Sequence, residues 1–142
     1  MKSAHTPHGA GFSFVDTFEI LLPDRKIRAQ KWLDPAMTFF ADHFPEQPLM
    51  PGVLLIESGA QAAGVLWGGM NNETVSKSGH PLFILAQVVA FKIQRPVEPG
   101  QTIEIQATWE REFGLLAQFA VEILEKGEVV ATGRIILSRS QA

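Results

Sequence analysis

The chain has 142 residues, 46% of them hydrophobic and 19% charged, with a formal charge of −3. That is enough chain for one ordinary domain around one core; it argues against disorder and gives no electrostatic case for nucleic acid. There is no cysteine, which excludes disulfides, thiolate nucleophiles and Cys-ligated zinc or iron–sulfur sites.

Residues 1–11 are polar and lack an apolar signal core, so they read as a flexible N-terminal segment of a single domain spanning 1–142, with the cytoplasm as the expected compartment. Residues 12–22 alternate loosely and stop at Pro23-Asp24, a turn signal. Residues 26–33 read as a second strand, antiparallel to the first, closed by Asp34-Pro35. A short irregular or helical piece over 36–40 leads into a loop, 41–51, that three prolines keep out of regular structure.

A helix is predicted from Pro51-Gly52 to Gly68-Gly69, about 27 Å long at ~1.5 Å per residue. Its residues 53–70 are apolar enough to raise a membrane question. Glu57, Gln61 and the small residues Ser58, Gly59, Ala60, Ala62, Ala63 and Gly64 answer it in favour of a helix buried in a protein core.

After a polar loop over 71–80 the rest is β: residues 82–93, 102–112, 115–125 and 128–138. The turns are Pro96-Val97-Glu98-Pro99-Gly100, Gly114 and Lys126-Gly127. In the second of these strands Ile103, Ile105, Ala107 and Trp109 share one face. The expected class is α+β: an antiparallel sheet of five or six strands, curved around one long helix whose small residues admit close approach. One sheet with one helix leaves edges exposed, so self-association is expected.

The stretch His43-Phe44-Pro45, then Pro48-Leu49-Met50-Pro51-Gly52-Val53-Leu54, then Glu57-Ser58-Gly59-Ala60-Gln61 resembles the signature of the FabZ/FabA-type 3-hydroxyacyl-acyl-carrier-protein dehydratases. The segment 91–100, Phe-Lys-Ile-Gln-Arg-Pro-Val-Glu-Pro-Gly, is similar to the strand and turn that precede the family's last three strands. The resemblance runs from about Phe14 to Ser138. It implies the hotdog fold and a homodimer whose two sheets join, with two sites built from both subunits and a trimer of dimers beyond that. It also implies a substrate carried on the 4'-phosphopantetheine of acyl carrier protein, no metal and no organic cofactor.

Carried over residue by residue, the resemblance makes His43 the base at C2 and Glu57 either the acid that helps the C3 hydroxyl leave or the group that holds the leaving hydroxyl or water. Imidazole as a group titrates near neutrality and can take and return a proton. An apolar tunnel favours a neutral carboxyl. Gly52, at a helix start, offers a backbone N–H to the thioester oxygen. Phe44, Pro51 and Val53 flank these groups along the substrate. Gln61 lies one turn beyond Glu57 on the same face, where it either orients the acid or hydrogen-bonds in the core.

Several positions depart from the family pattern. Glu46 stands where glycine usually follows His-Phe-Pro, Asp42 where glycine is common, Gln87 near a usual glycine, and Gln101 where aspartate is usual. Tyrosine is absent, so the tunnel gate has to be Phe or a non-aromatic residue, and Phe83 and Ile84 lie where it is expected. Trp67 and Phe83 otherwise read as core. His5, His8, His80 and Asp42 read as having no role in catalysis. Lys92 and Arg95 read as solvated charges, with contact to phosphopantetheine or an acidic carrier as the functional alternative. Two rival functions remain: a hotdog acyl-thioesterase and a non-catalytic acyl-binding protein.

Overall fold

A computed structural model describes residues 1–4, 9–71 and 82–140. The strands are β1 (Lys2–Ser3), β2 (Thr17–Leu21), β3 (Lys26–Trp32), β4 (Phe83–Ile93), β5 (Thr102–Phe113), β6 (Leu116–Glu125) and β7 (Glu128–Arg139). The helices are α1 (Thr38–Asp42) and α2 (Gly52–Met70). All pairings are antiparallel, in the order β1-β2-β3-β5-β6-β7-β4.

This is the expected α+β hotdog arrangement, with a seventh, two-residue strand added at one edge. That strand comes from the segment read as flexible: Lys2 pairs with Phe18 and Ser3 with Thr17. The histidines His5, His8 and His80, and nearly all of the polar loop over 71–80, lie outside the described residues.

The alternating strands become amphipathic faces. Ile103, Ile105 and Ala107 of β5 are fully buried, as are Ala117, Phe119 and Ile123 of β6. Trp109 packs against that core. The β6–β7 hairpin turns at Lys126 and Gly127, both with positive φ, the conformation a two-residue turn needs to match strand twist.

Every residue of α2 from Ser58 to Gly68 is buried. No stripe of this helix faces water there, because the sheet wraps it. Close approach rests on the absence of a side chain at Gly59, where a Cβ would stand 2.8 Å from Val121 Cγ1. Towards the C-terminal half of α2, Trp67 is 5.0 Å from Phe83, 5.5 Å from Trp109 and 6.1 Å from Phe119 between ring centroids. Trp67 and Phe83 are thus packed as core, as the sequence reading has them. No described helix is long and apolar enough to cross a membrane.

Candidate active site

The loop between α1 and α2 hangs on two anchors. The Met50 N–H donates to the Val97 carbonyl at 2.7 Å, and the His43 N–H to the Phe39 carbonyl at 2.9 Å. His43 caps the C-terminus of α1 in extended conformation. The next residue, Phe44, takes φ of 55°, a left-handed conformation that is unusual for a bulky side chain. That turn sends the Phe44 ring outward, 60% exposed, with its centroid 4.5 Å from that of His43.

His43 Nδ1 lies 3.0 Å from the Leu49 carbonyl oxygen. A carbonyl only accepts, so this bond requires the proton on Nδ1 and leaves the lone pair of neutral imidazole on Nε2. The base proposed from the sequence therefore has a fixed tautomer and a defined basic atom. Asp42, its exposed neighbour in sequence, has no part in that bond.

Pro51 caps α2 at φ −58° and ψ 135°, and its carbonyl accepts from Leu54 and Leu55. Gly52 and Val53 precede these donors, so their N–H groups have no intrahelical acceptor and head the helix dipole. A Cβ on Gly52 would stand 2.5 Å from Ile93 Cδ1, so the tip of the Ile93 side chain lies against the helix start and has to turn aside for any larger residue. Val53 is 72% exposed.

Glu57 is half-buried, one turn into the helix. Gln61 Nε2 donates to Glu57 Oε2 at 2.9 Å. Gln61 is 5% exposed and also bonds the backbone of Phe12 and Phe14 in the N-terminal segment, so the one amide hydrogen-bonds in the core and meets Glu57.

The structure joins Glu57 to Gln61, and His43 to Phe44 and Leu49. It sets Pro51, Gly52 and Val53 at the helix start between them. Among the described residues, the one hydrogen bond of the His43 ring goes to the Leu49 carbonyl and not to Glu57. A groove of about 540 Å³ lies on the outer face of the sheet among Lys26, Lys92, Gln106, Glu122 and Arg134, and none of the proposed site residues lines it. Arg95 is tied to Glu128 at 2.9 Å, and Lys92 is exposed.

Sequence reasoning missed two partners. The Leu49 carbonyl orients His43, and backbone groups of Phe12 and Phe14 hold Gln61. Both are main-chain groups, which carry no residue signature; only the nearness of Leu49 in sequence hinted at the first.

The sequence model of the ApeI-like family, described as ApeI dehydratase, matches residues 20–134. The chain belongs to the ApeI-like dehydratase family. It is 30% identical over 135 residues to a 3-hydroxyacyl-acyl-carrier-protein dehydratase, FabZ, of Dechloromonas aromatica, covering 95% of this chain and 92% of that one. The dehydratase heterocomplex ApeI:P from Xenorhabdus doucetiae has the same fold, with a TM-score of 0.75, 22% identity and coverage of 95% of this chain and 88% of that chain. A putative thioesterase of Lactococcus lactis, yhdA, shares the fold at a TM-score of 0.69 and 11% identity, over 91% of this chain and 94% of that one. The hotdog architecture is thus common to both chemistries, and the sequence relationship is to the dehydratases.

Proposed function

We propose that this dehydratase converts (3R)-3-hydroxyacyl groups carried on acyl carrier protein into trans-2-enoyl groups. His43 Nε2 takes the proton from C2. The C3–O bond breaks, and the departing hydroxyl takes a proton from Glu57 and leaves as water. The electron pair of the C2–H bond becomes the C2–C3 double bond. Negative charge that builds on the thioester oxygen faces the Gly52 N–H at the head of α2, where no intrahelical acceptor competes. Phe44, Pro51 and Val53 line the substrate, and Gln61 holds Glu57.

The observation that carries this reading is the His43–Leu49 bond, because it turns a motif histidine into a base with one defined basic atom. A thioesterase working through a carboxylate and water has no use for an imidazole held in this way. A non-catalytic binder needs neither the fixed tautomer nor the carboxyl.

We further propose that the working form is a dimer of this chain joined through β4, with His43 of one subunit meeting Glu57 of the other. Ile84, Val88, Val89 and Ile93 of that edge strand are between 39% and 52% exposed in one chain, an apolar edge that a soluble protein covers. Exposed Phe44 and Val53 beside the site fit the same cover.

Incubation with 3-hydroxyacyl-carrier protein and with saturated acyl-carrier protein, followed by mass analysis, tests the chemistry. Loss of water is expected; release of free acid instead would assign the thioesterase reaction. For the shared site, His43→Ala and Glu57→Ala subunits are each expected to be inactive, and mixing them should restore part of the activity. Failure to recover it under verified subunit exchange would mean each site lies within one chain. Solution mass distinguishes a dimer from a trimer of dimers, and from a lone chain that awaits a different subunit; the Xenorhabdus dehydratase is a heterocomplex.

A further inference from the structure

Gln61 sits in the middle of the apolar helix, and its carboxamide is fully engaged. Its Oε1 accepts from the Phe14 N–H at 2.7 Å, and its Nε2 donates to the Phe12 carbonyl at 2.8 Å and to Glu57 Oε2 at 2.9 Å. The orientation of this amide is not arbitrary. A backbone N–H only donates and a carbonyl only accepts, so Phe14 fixes the oxygen side and Phe12 fixes the nitrogen side. Turning the amide over would set N–H against N–H and oxygen against oxygen in a buried place, losing two hydrogen bonds at once. With one Nε2 hydrogen committed to Phe12, the other has to point at Glu57.

We propose that residues 12–14 and Gln61 form a backbone-anchored clamp on Glu57, so that a segment outside the signature motif positions the acid of the site. The inference rests on the reading of Glu57 as the acid. Its chemical content is directional. Oε2 is held as the acceptor of the Gln61 Nε2–H, and the side chain cannot swing without breaking that bond. Gln61 is a positioning residue: it acts through Glu57. The segment is well seated for this task. Phe14 is fully buried, with its ring 6.2 Å from that of Phe39, so its N–H is held by core packing; Phe12, 44% exposed, rests its ring edge-on against Phe14 at 5.1 Å.

A purely structural role, in which Gln61 only docks the N-terminal segment, makes a different prediction, and Gln61→Glu separates the two. A carboxylate at 61 still accepts from the Phe14 N–H but has no hydrogen to give Phe12 or Glu57. In the full-length protein the Phe14 amide should keep its protection against hydrogen exchange. At the same time kcat falls by roughly 10- to 100-fold with KM changed less than about threefold. Gln61→Met, which removes both functions, should lose kcat to a similar extent and also lose Phe14 protection; it stands in should Gln61→Glu not fold. A kcat within about threefold of the parent in a folded variant, or a loss confined to KM, overturns the clamp. If the unaltered protein releases no water from 3-hydroxyacyl-carrier protein, the functional reading is what has failed. The exchange measurement then still decides the geometry, because retained Phe14 protection in Gln61→Met refutes the clamp by itself.

Discussion

Strands β4 and β6 have similar apolar content and opposite fates. In β6, buried and half-buried residues alternate strictly, with Ala117, Phe119, Val121 and Ile123 turned to the helix. β4, Phe-Ile-Leu-Ala-Gln-Val-Val-Ala-Phe-Lys-Ile, is exposed at most positions and, among the described residues, has a strand partner, β7, on one side only. The two strands differ in neighbours more than in composition. β6 is apolar on the face the helix covers, whereas β4 is apolar where the single chain offers no cover. The joint proposed between subunits would place a strand of that composition inside a larger sheet, along β4 and beside the start of α2.

Breaking the covered strand should have the largest effect on folding. Phe119→Ala empties a fully buried position between Trp67 and Trp109 and should cost about 3–5 kcal/mol, read as a lower midpoint in denaturant melts. Val88→Lys on the edge strand should leave the chain folded. It should weaken self-association by ~2 kcal/mol or more per subunit, since each joined edge would have to take in an unpaired charge. Activity should fall with the dimer as concentration drops. A Val88→Lys protein that stays dimeric and active at high dilution would remove β4 from the interface. Arg134→Ala, on the outer face where the guanidinium meets Glu110 at 3.1 Å, should change stability by less than about 1 kcal/mol, because the pair is largely solvated.

The comparison also shows what a sequence makes legible. Element boundaries follow from alternation and turn chemistry, so Ile103, Ile105 and Ala107 could be assigned to one face before any coordinates. The motif named His43, Glu57 and Gly52 as the groups to look at, and local geometry now gives each a neighbour. Three things were not legible, for physical reasons. The bulges of β4, at Ala86 and Val89, lie in an apolar run with no glycine to mark them. The Leu49 carbonyl that orients His43 is a group every residue possesses. The bonds from Gln61 to Phe12 and Phe14 span 49 and 47 positions and use main-chain atoms, so no spacing rule reaches them. Glu57 was expected deep in an apolar helix; its half-buried state in one chain reflects its place in the turn of α2 that precedes the wrapped stretch.

The left-handed backbone at Phe44 carries a consequence for heat. A bulky residue in that conformation stores about 1–3 kcal/mol, and only its surroundings keep it there. Those surroundings are a proline-rich loop held by a few bonds, while the sheet below is held by its whole core. The loop should let go first. Activity should then have its own melting point, several degrees below that of the sheet, with inactivation reversible on cooling as long as the sheet survives. Residual activity tracked beside circular dichroism during one thermal ramp would show the gap, and coincident curves would show that the loop and the sheet melt as one.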